Sequence, residues 1–578
     1  MATRSAGPGR RATLIRALFA AVLIATGYAL ALAITGGFTL AIGSMRIRSH
    51  SWVRPAIVAA AGAVLLIVAA RSAVAAWLER TSWILQSAGA AKCAAVVAAT
   101  WALAAGLGFN TFAAGGADSY GYVGQARLLA HGRVTDTIPW SSGYTWPDAA
   151  ATLTPLGFTK PRIEGVIAPI YPPGLSLLQA PLTLWSERAV YIVVPIFGTL
   201  LVWLIYRLAA HLGDPVTGAV AALLLSASPT FLYQVVQPMS DVPAAACWLA
   251  ALLLAARASP TGAAASGAVA SLATLIRPNL APLAGLIAGV AALSAPASRL
   301  RRLLVFVAAL APGIALLGWI QNVRYGSPFA SGYGTLADGF SLQNIGPNLS
   351  RYPRWITETH TWFIWLSLAA PVWIRHHASR PLLAWSASTL AVLTWAAYLP
   401  YAYFQPHEWF YTRFLLIAIA IMLMFASAVA LSLIRRLPSR WRVQAMALML
   451  VGLLATSIHT ARSHGAFRVR DQERKYPVAG AFARARLPPT AFVLAMQHSG
   501  SIRYYANLPT LRWDILAPSH LDEVLSVLRG EGHEVFLVVD EGEYDAFRAR
   551  FSASDRRALQ QLTPLTVLGD TRVFAFTP

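Results

Sequence analysis

The chain has 578 residues, 57% of them hydrophobic and only 12% charged, with a formal net charge of +22. That balance, with a mean hydropathy of +0.55, excludes an ordinary soluble domain. It does not point to nucleic acid either: no nucleic-acid motif accompanies the charge, and much of the excess lies in short loops between apolar runs, where Lys and Arg face anionic lipid.

In chain order, apolar runs fall at Ala17–Leu40, Ala56–Ala70, Cys93–Gly108, Val190–Tyr206, Val216–Tyr233, Val242–Ala256, Leu303–Ile320, Trp362–Ile374, Leu382–Leu399, Phe414–Ile434 and Val443–Ile458. A further stretch, Ala264–Ala297, is broken by Arg277-Pro278-Asn279 and reads as two short spans or a re-entrant pair. The fold class expected is a mainly α polytopic bundle of about 13 spans. Arg4, Arg10, Arg11 and Arg16 precede the first run as in a signal peptide, but the run is too long and no small-residue cleavage site follows, so it is expected to stay as a span. With the amino terminus in the cytoplasm, the inner loops hold Arg71, Arg80, Lys92, Arg207, Arg257, Arg299, Arg301, Arg302, Arg375, Arg380, Arg435, Arg436, Arg440 and Arg442. The loop Met45–Arg54, with Arg46, Arg48 and Arg54, is the exception to this positive-inside pattern.

Three outer segments result, 109–187, 321–360 and 401–411, and the carboxyl terminus also lies outside. From Arg462 onward charge rises and long apolar runs cease. Ala491–Met496, Glu534–Val539 and Thr571–Phe576 read as strands, Leu521–Arg529 and Tyr544–Phe551 as helices, together a small α/β unit. The expected division is two additional helices in 1–92, a transmembrane core in 93–460 and a periplasmic domain in 461–578. Cys93 and Cys247 both fall inside spans, which argues against a disulfide or a thiolate metal site.

Two acids stand at the outer edges of apolar runs: Asp118 in Gly-Gly-Ala-Asp-Ser-Tyr-Gly-Tyr, and Asp241 in Met-Ser-Asp-Val-Pro. Carboxylates beside a bilayer are costly to desolvate and are functional candidates by default. Each also has a plain reading as a helix cap, and Tyr122, Ala126 and Leu129 give the segment after Asp118 the spacing of an amphipathic helix on the membrane surface. Arg277 and Arg413 fall at the same outer depth. Two acids and two arginines converging there suit a phosphorylated substrate, against separate caps and snorkelling arginines. Gln497–Tyr505 follows a strand and reads as a capped helix start, or as an anion-receiving one that recognises the acceptor.

These residues resemble landmarks of the GT-C glycosyltransferases. Asp118-Ser-Tyr-Gly-Tyr is similar to the first-outer-loop acid. Tyr171-Pro-Pro-Gly, Met-Ser-Asp241-Val-Pro, Leu-Ile-Arg277-Pro-Asn and Tyr411-Thr-Arg413-Phe resemble later motifs of bacterial members, among them dolichyl-phosphate-mannose protein mannosyltransferase-like proteins and lipid A aminoarabinose transferases. The resemblance runs from about Trp101 to Ile434, and motif order is its strongest part. It implies an inverting transfer on the periplasmic side of a bacterial inner membrane, from a polyprenyl-phosphate sugar donor to a hydroxyl of a protein, lipid or glycan acceptor. Asp118 would be the general base and Asp241 a distant second acid, because Ser119 stands where many members have an adjacent one. Arg277 and Arg413 would hold the donor phosphate. Tyr122, Glu164, Tyr171, His407 and Glu408 are candidate substrate contacts, although the polar loop and the interfacial aromatic belt account for His407, Glu408 and Tyr171 as well. No metal is obligatory, since arginines can assist a leaving phosphate; a divalent ion is compatible. The rival classes are a transporter or flippase of lipid-linked sugars, against which no internal repeat is visible, and a non-catalytic assembly protein, which would not need Asp118.

Overall fold

The structure, a computed structural model, describes residues 10–35, 38–42, 45–49, 51, 53–69, 87–138, 144, 146–161, 165–334, 336–403, 409–552 and 556–577. Glu164, His407 and Glu408, and Arg71 and Arg80 of the inner loops, lie outside the described residues.

Each apolar run read from the sequence falls on helix, with adjusted ends. The first helix, Arg10–Thr35, stops where two glycines follow in the sequence, and Phe38–Ile42 (β1) and Met45–Ser49 (β2) instead form an antiparallel hairpin. Among the described residues, five helices are long and apolar enough to cross a bilayer, or up to six if the pair Pro215–Ala227 and Pro229–Val235, bent by 61°, counts as one span. The count expected from the sequence is larger because many apolar helices are short. The stretch around Arg277 shows why. It gives a helix Pro260–Ile276, a 3-10 turn Pro278–Leu280 and a helix Leu283–Leu293. The last is about 16 Å long at 1.5 Å per residue, roughly half the hydrocarbon thickness. Proline at 278 removes a donor and restricts Arg277 to extended backbone, which ends the first helix there.

The helix Asp241–Ala255 gives the bundle a polarity. At its Asp241 end lie the acids and arginines of the candidate site. At its Ala255 end the fully buried Arg302 donates to the carbonyls of Ala255 (2.9 Å) and Arg257 (2.6 Å), satisfying carbonyls that a helix end leaves free.

The carboxyl-terminal region is the expected small α/β unit. Ala491–Leu494 (β3), Thr510–Leu511 (β4), Glu534–Asp540 (β5), Leu562–Leu568 (β6) and Thr571–Phe576 (β7) form one sheet in the order β4-β3-β5-β7-β6. The β3 strand pairs in parallel with β4 and β5, and β7 pairs antiparallel with β5 and β6. Helices Leu521–Gly530 and Glu541–Phe551 cover it, the helix start read at Gln497–Tyr505 is the helix Ser499–Ala506, and the helix Lys475–Arg486 is additional to those read from the sequence.

This unit shares a core with the first outer segment. Tyr120, Val123, Leu128, Trp146 and Leu153 are buried in one apolar cluster with Phe492, Leu494, Tyr504 and Trp513. The helix Asp118–Ala130 is therefore not the membrane-surface helix its spacing suggested: Ser119 through Ala126 are all buried. Tyr120 faces the carboxyl-terminal unit, and Tyr122 faces the transmembrane core. Residues two apart on a helix lie on nearly opposite faces, so one helix serves both. The start of the Ser499–Ala506 helix neither caps with its N-cap side chain nor faces an open anion site; it is packed on Tyr120. Only glycine fits at 500, because a β-carbon there would fall 2.1 Å from the Tyr120 ring.

Substituting Gly500→Ala is therefore expected to destabilise docking of the carboxyl-terminal unit by about 1–3 kcal/mol. Limited proteolysis of the detergent-solubilised protein would show faster release of that unit. Unchanged protection would mean that the Tyr120 contact does not hold it.

Candidate active site

Four charged side chains, drawn from four separate segments, pair at one end of the bundle. Arg277 donates through Nη2 to Asp241 Oδ1 (2.6 Å), through Nη1 to the Tyr398 hydroxyl (2.6 Å) and through Nε to Ser240 Oγ (3.2 Å). Arg413 donates through Nη1 to Asp118 Oδ2 (3.0 Å) and to Met239 Sδ (3.1 Å). The Phe414 ring lies between the two guanidinium groups, 4.8 Å from that of Arg277 and 5.0 Å from that of Arg413. Asp118 Oδ1 accepts the Tyr171 hydroxyl at 2.5 Å, and the Tyr122 hydroxyl donates to Ser240 Oγ at 2.8 Å.

Each partner arrives for a local reason. Pro172 and Pro173 open the helix Pro173–Thr183, where a missing N–H costs nothing, and leave Tyr171 just before it. Gly174 then lets that helix approach the backbone of Ile276 so closely that a β-carbon would fall 2.4 Å from it. The Tyr-Pro-Pro-Gly and Leu-Ile-Arg-Pro-Asn motifs are thus one contact. Arg324, at the end of the helix Arg299–Tyr325, donates to Tyr171 O (3.5 Å) and to Val134 O (3.0 Å), while the Tyr325 hydroxyl donates to Pro169 O (2.5 Å). Arg413 lies on a 3-10 segment, Trp409–Leu415, leading into the helix Leu416–Ile434.

The capping readings of both acids do not hold. Asp118 and Asp241 are each the first residue of a helix, preceded by Ala117 and Ser240, and neither of those N-caps makes a side-chain bond. Both carboxylates point instead to arginines.

Exposure separates the two acids. The Asp241 side chain is 2% exposed and committed to Arg277, whereas Asp118 is 32% exposed. Asp118 can therefore meet a substrate, and Asp241 supports Arg277 from beneath. Burial, then the Asp118 charge, push the Tyr171 phenol well above its ordinary value, so it remains a donor to Asp118. Tyr171 is stacked near Tyr122 (centroids 4.7 Å apart) and under Tyr333 of the second outer segment (5.9 Å, edge-on). That burial makes Tyr171 part of the site and not of an interfacial belt.

Sequence reasoning passed over Ser240, Tyr333, Tyr398 and Phe414. Ser240 and Phe414 adjoin charges already singled out, so the motifs did point at them; nothing local distinguishes Tyr398 or Tyr333 from other aromatics. Among the described residues, no three His, Cys, Asp or Glu side chains are grouped to hold a metal ion.

Removing Arg277 leaves a carboxylate buried without its counterion. Arg277→Ala is expected to cost about 3–5 kcal/mol of stability, and adding Asp241→Asn should restore a good part of it. Thermal unfolding of the four proteins of this double-mutant cycle in one detergent measures the coupling; additive losses would show that the pair is not a unit.

Comparisons with known proteins bear on the fold. Residues 171–320 match the family described as dolichyl-phosphate-mannose-protein mannosyltransferase. That segment contains Tyr171, Asp241 and Arg277. A search of curated proteins returned no match. Among solved structures, ArnT from Cupriavidus metallidurans bound to undecaprenyl phosphate superposes with a TM-score of 0.51 at 14% identity, covering 86% of this chain and 98% of that one. The apo form of the same protein gives a TM-score of 0.50 at 14% identity, with the same coverage of both chains. The arabinofuranosyltransferase AftD from Mycobacteria matches 85% of this chain and 40% of its own length, with a TM-score of 0.47 at 13% identity. The chain thus shares its fold with the ArnT structures, and its central segment matches the mannosyltransferase family model.

Proposed function

We propose that this protein is an inverting membrane glycosyltransferase that moves a sugar from a polyprenyl-phosphate carrier to a hydroxyl acceptor. The observation that carries the reading is the Asp118 carboxylate, partly open to solvent and held by Tyr171 and Arg413 beside a second, buried arginine–acid pair. The fold shared with an undecaprenyl-phosphate-bound protein supports the carrier class.

In this reading Asp118 accepts the proton of the acceptor hydroxyl as its oxygen attacks the anomeric carbon. The bond from that carbon to the phosphate oxygen breaks, and its electron pair stays on the phosphate. The four paired side chains are formally neutral together. When Asp118 takes the proton it loses the charge that engages Arg413, just as the leaving phosphate gains one. Arg413 then exchanges a carboxylate for a phosphate, and the charge in the site moves without net creation. Arg277, fixed by Asp241, Ser240 and Tyr398, supplies a second cation of constant orientation. Asp241 acts by holding Arg277. Tyr122, Tyr171 and Tyr333 offer aromatic and hydroxyl contacts to a sugar; Glu164, His407 and Glu408 stay as candidates to line the same opening. No step requires a metal, and a divalent ion would add to the phosphate contacts only.

The site end of the bundle is assigned to the periplasmic face of a bacterial inner membrane, with residues 461–578 as a periplasmic domain beside it and the two helices of residues 1–92 as an addition to a core of residues 93–460. Thirteen spans would give that topology, and a reporter fused after Ile458 should register outside. The charged residues cluster at one end of the Asp241–Ala255 helix, which favours an enzyme over a transporter with a midplane site.

Purified protein should release free polyprenyl phosphate from one member of a panel of polyprenyl-phosphate pentoses and hexoses when membranes supply the acceptor. Asp118→Asn should lower that rate by at least about 100-fold while undecaprenyl phosphate still binds. Undiminished transfer by the variant would remove Asp118 from the mechanism.

A further inference from the structure

Immediately beyond the last apolar helix, Ser439–Ser463, the chain does not leave the site. It runs beside the loop that leads to Asp118. Phe467 packs edge-on against Phe109 (4.9 Å), Arg470 donates to Gly108 O (3.3 Å) and covers the Phe112 ring (5.7 Å). Tyr476 lies directly on the backbone of Gly115, where even a methyl group has no room, with its hydroxyl near Gly116. Residues 467–476 are thus strapped along 108–116, two residues short of Asp118.

Glu473 lies within this strap, between the Arg470 and Tyr476 contacts. It is half-buried and within electrostatic reach of Asp118. Among the described residues no hydrogen bond holds its carboxylate, unlike Asp540, which is held by Lys475 Nζ (2.5 Å), His498 Nε2 (2.9 Å) and Thr571 Oγ1 (2.9 Å). The strap therefore brings an acid with no hydrogen-bonded partner of its own beside the loop that leads to Asp118.

We propose that Glu473 is the second carboxyl group of the site, taking from Asp118 the proton released by the acceptor hydroxyl and passing it to outer water. This rests on the glycosyl-transfer reading above. The acceptor O–H breaks as the new bond to the anomeric carbon forms, and the proton rests on Asp118. It then moves to an ionised Glu473 oxygen, directly or through one water, which regenerates the Asp118–Arg413 pair for the next cycle. The protonated Glu473 loses it to solvent. Glu473 acts through Asp118 and is a positioning residue for the proton, not a group that touches the sugar.

The electrostatic setting suits that task. Burial pushes the Glu473 carboxyl up to about 7; Lys475 opposes the shift, and Asp118 and Asp540 add to it. Tyr476 on the same strap remains protonated, because burial and then the charges of Glu473, Asp540 and Glu543 raise its phenol. His498 and Glu543 lie one layer further away, bonded to Asp540 and to the Gln497 backbone. A carboxyl group raised in this way is protonated below about pH 7 and ionised above it, so proton removal from Asp118 should quicken as pH rises through that value.

The test has two arms. In the full-length protein, isotope-edited infrared difference spectra should show a Glu473 carboxyl band that titrates near 7, is absent in Glu473→Gln, and titrates lower in Asp118→Asn because a neighbouring charge is gone. A midpoint unmoved by Asp118→Asn would overturn the proposal, whether or not any donor is turned over. The second arm follows polyprenyl phosphate release from about pH 5.5 to 8.5 with the donor that the panel identifies. Glu473→Gln should lower the rate roughly tenfold above neutrality and abolish its rise with pH, leaving undecaprenyl phosphate binding intact, while Glu473→Asp should keep the rise. A Glu473→Gln profile of wild-type shape, whatever its height, would reduce Glu473 to a structural residue.

Discussion

The pairing of Asp118 with Arg413 and of Asp241 with Arg277 is the constraint on which this end of the bundle depends. Isolated, any of these charges would be expensive next to hydrocarbon, by several kcal/mol even after relaxation. Together they cancel, and the Phe414 ring between the two guanidinium groups fills the space between the pairs. Because the four residues come from four distant segments, meeting that electrostatic requirement also fixes how those segments assemble. The break at Arg277-Pro278 then has a purpose: it ends a helix where a guanidinium can reach Asp241, Ser240 and Tyr398 at once.

The two pairs are not equivalent: one is sealed and the other is partly open to solvent. Asp241 is sealed beneath Arg277, so that pair behaves as a fixed unit of the core. Asp118 retains access to solvent and divides its oxygens between a phenol and an arginine, and the proposed mechanism uses that access for a proton and a phosphate. One rigid cation beside one exchangeable cation is an arrangement suited to a leaving phosphate, which needs both orientation and a gain in counter-charge.

The carboxyl-terminal unit is part of this construction. The Asp118–Ala130 helix has the transmembrane core on its Tyr122 face and the α/β unit on its Tyr120 face, so its position depends on both. The Ala114 amide donates to the Tyr505 hydroxyl (2.9 Å), and Arg127 covers the Tyr504 ring (3.7 Å) while pairing with Glu187 (2.6 Å). Docking is thus aromatic and polar across one short helix. A change in the α/β unit has a direct route to Asp118 through that helix and through the strap that carries Glu473.

Much of the fold was legible in the chain because its causes are local. Apolar runs fall on helix, the short apolar stretches at 491, 534 and 571 on strands, and the order of five motifs pointed to the fold type, since each motif encodes its own turn or break. Local reasoning failed where the decisive partner is remote. Asp118 reads as a cap until Arg413, 295 residues away, takes its charge. Its helix reads as amphipathic until a second unit buries the other face. Glu473 carries no motif at all, and only the return of the chain along residues 108–116 brings it beside the loop that leads to Asp118. The sequence by itself determined which residues are too costly to leave unpaired near a bilayer. Tertiary structure alone decided which pairs they form, because Coulombic pairing and desolvation depend on distances in space that chain order does not contain.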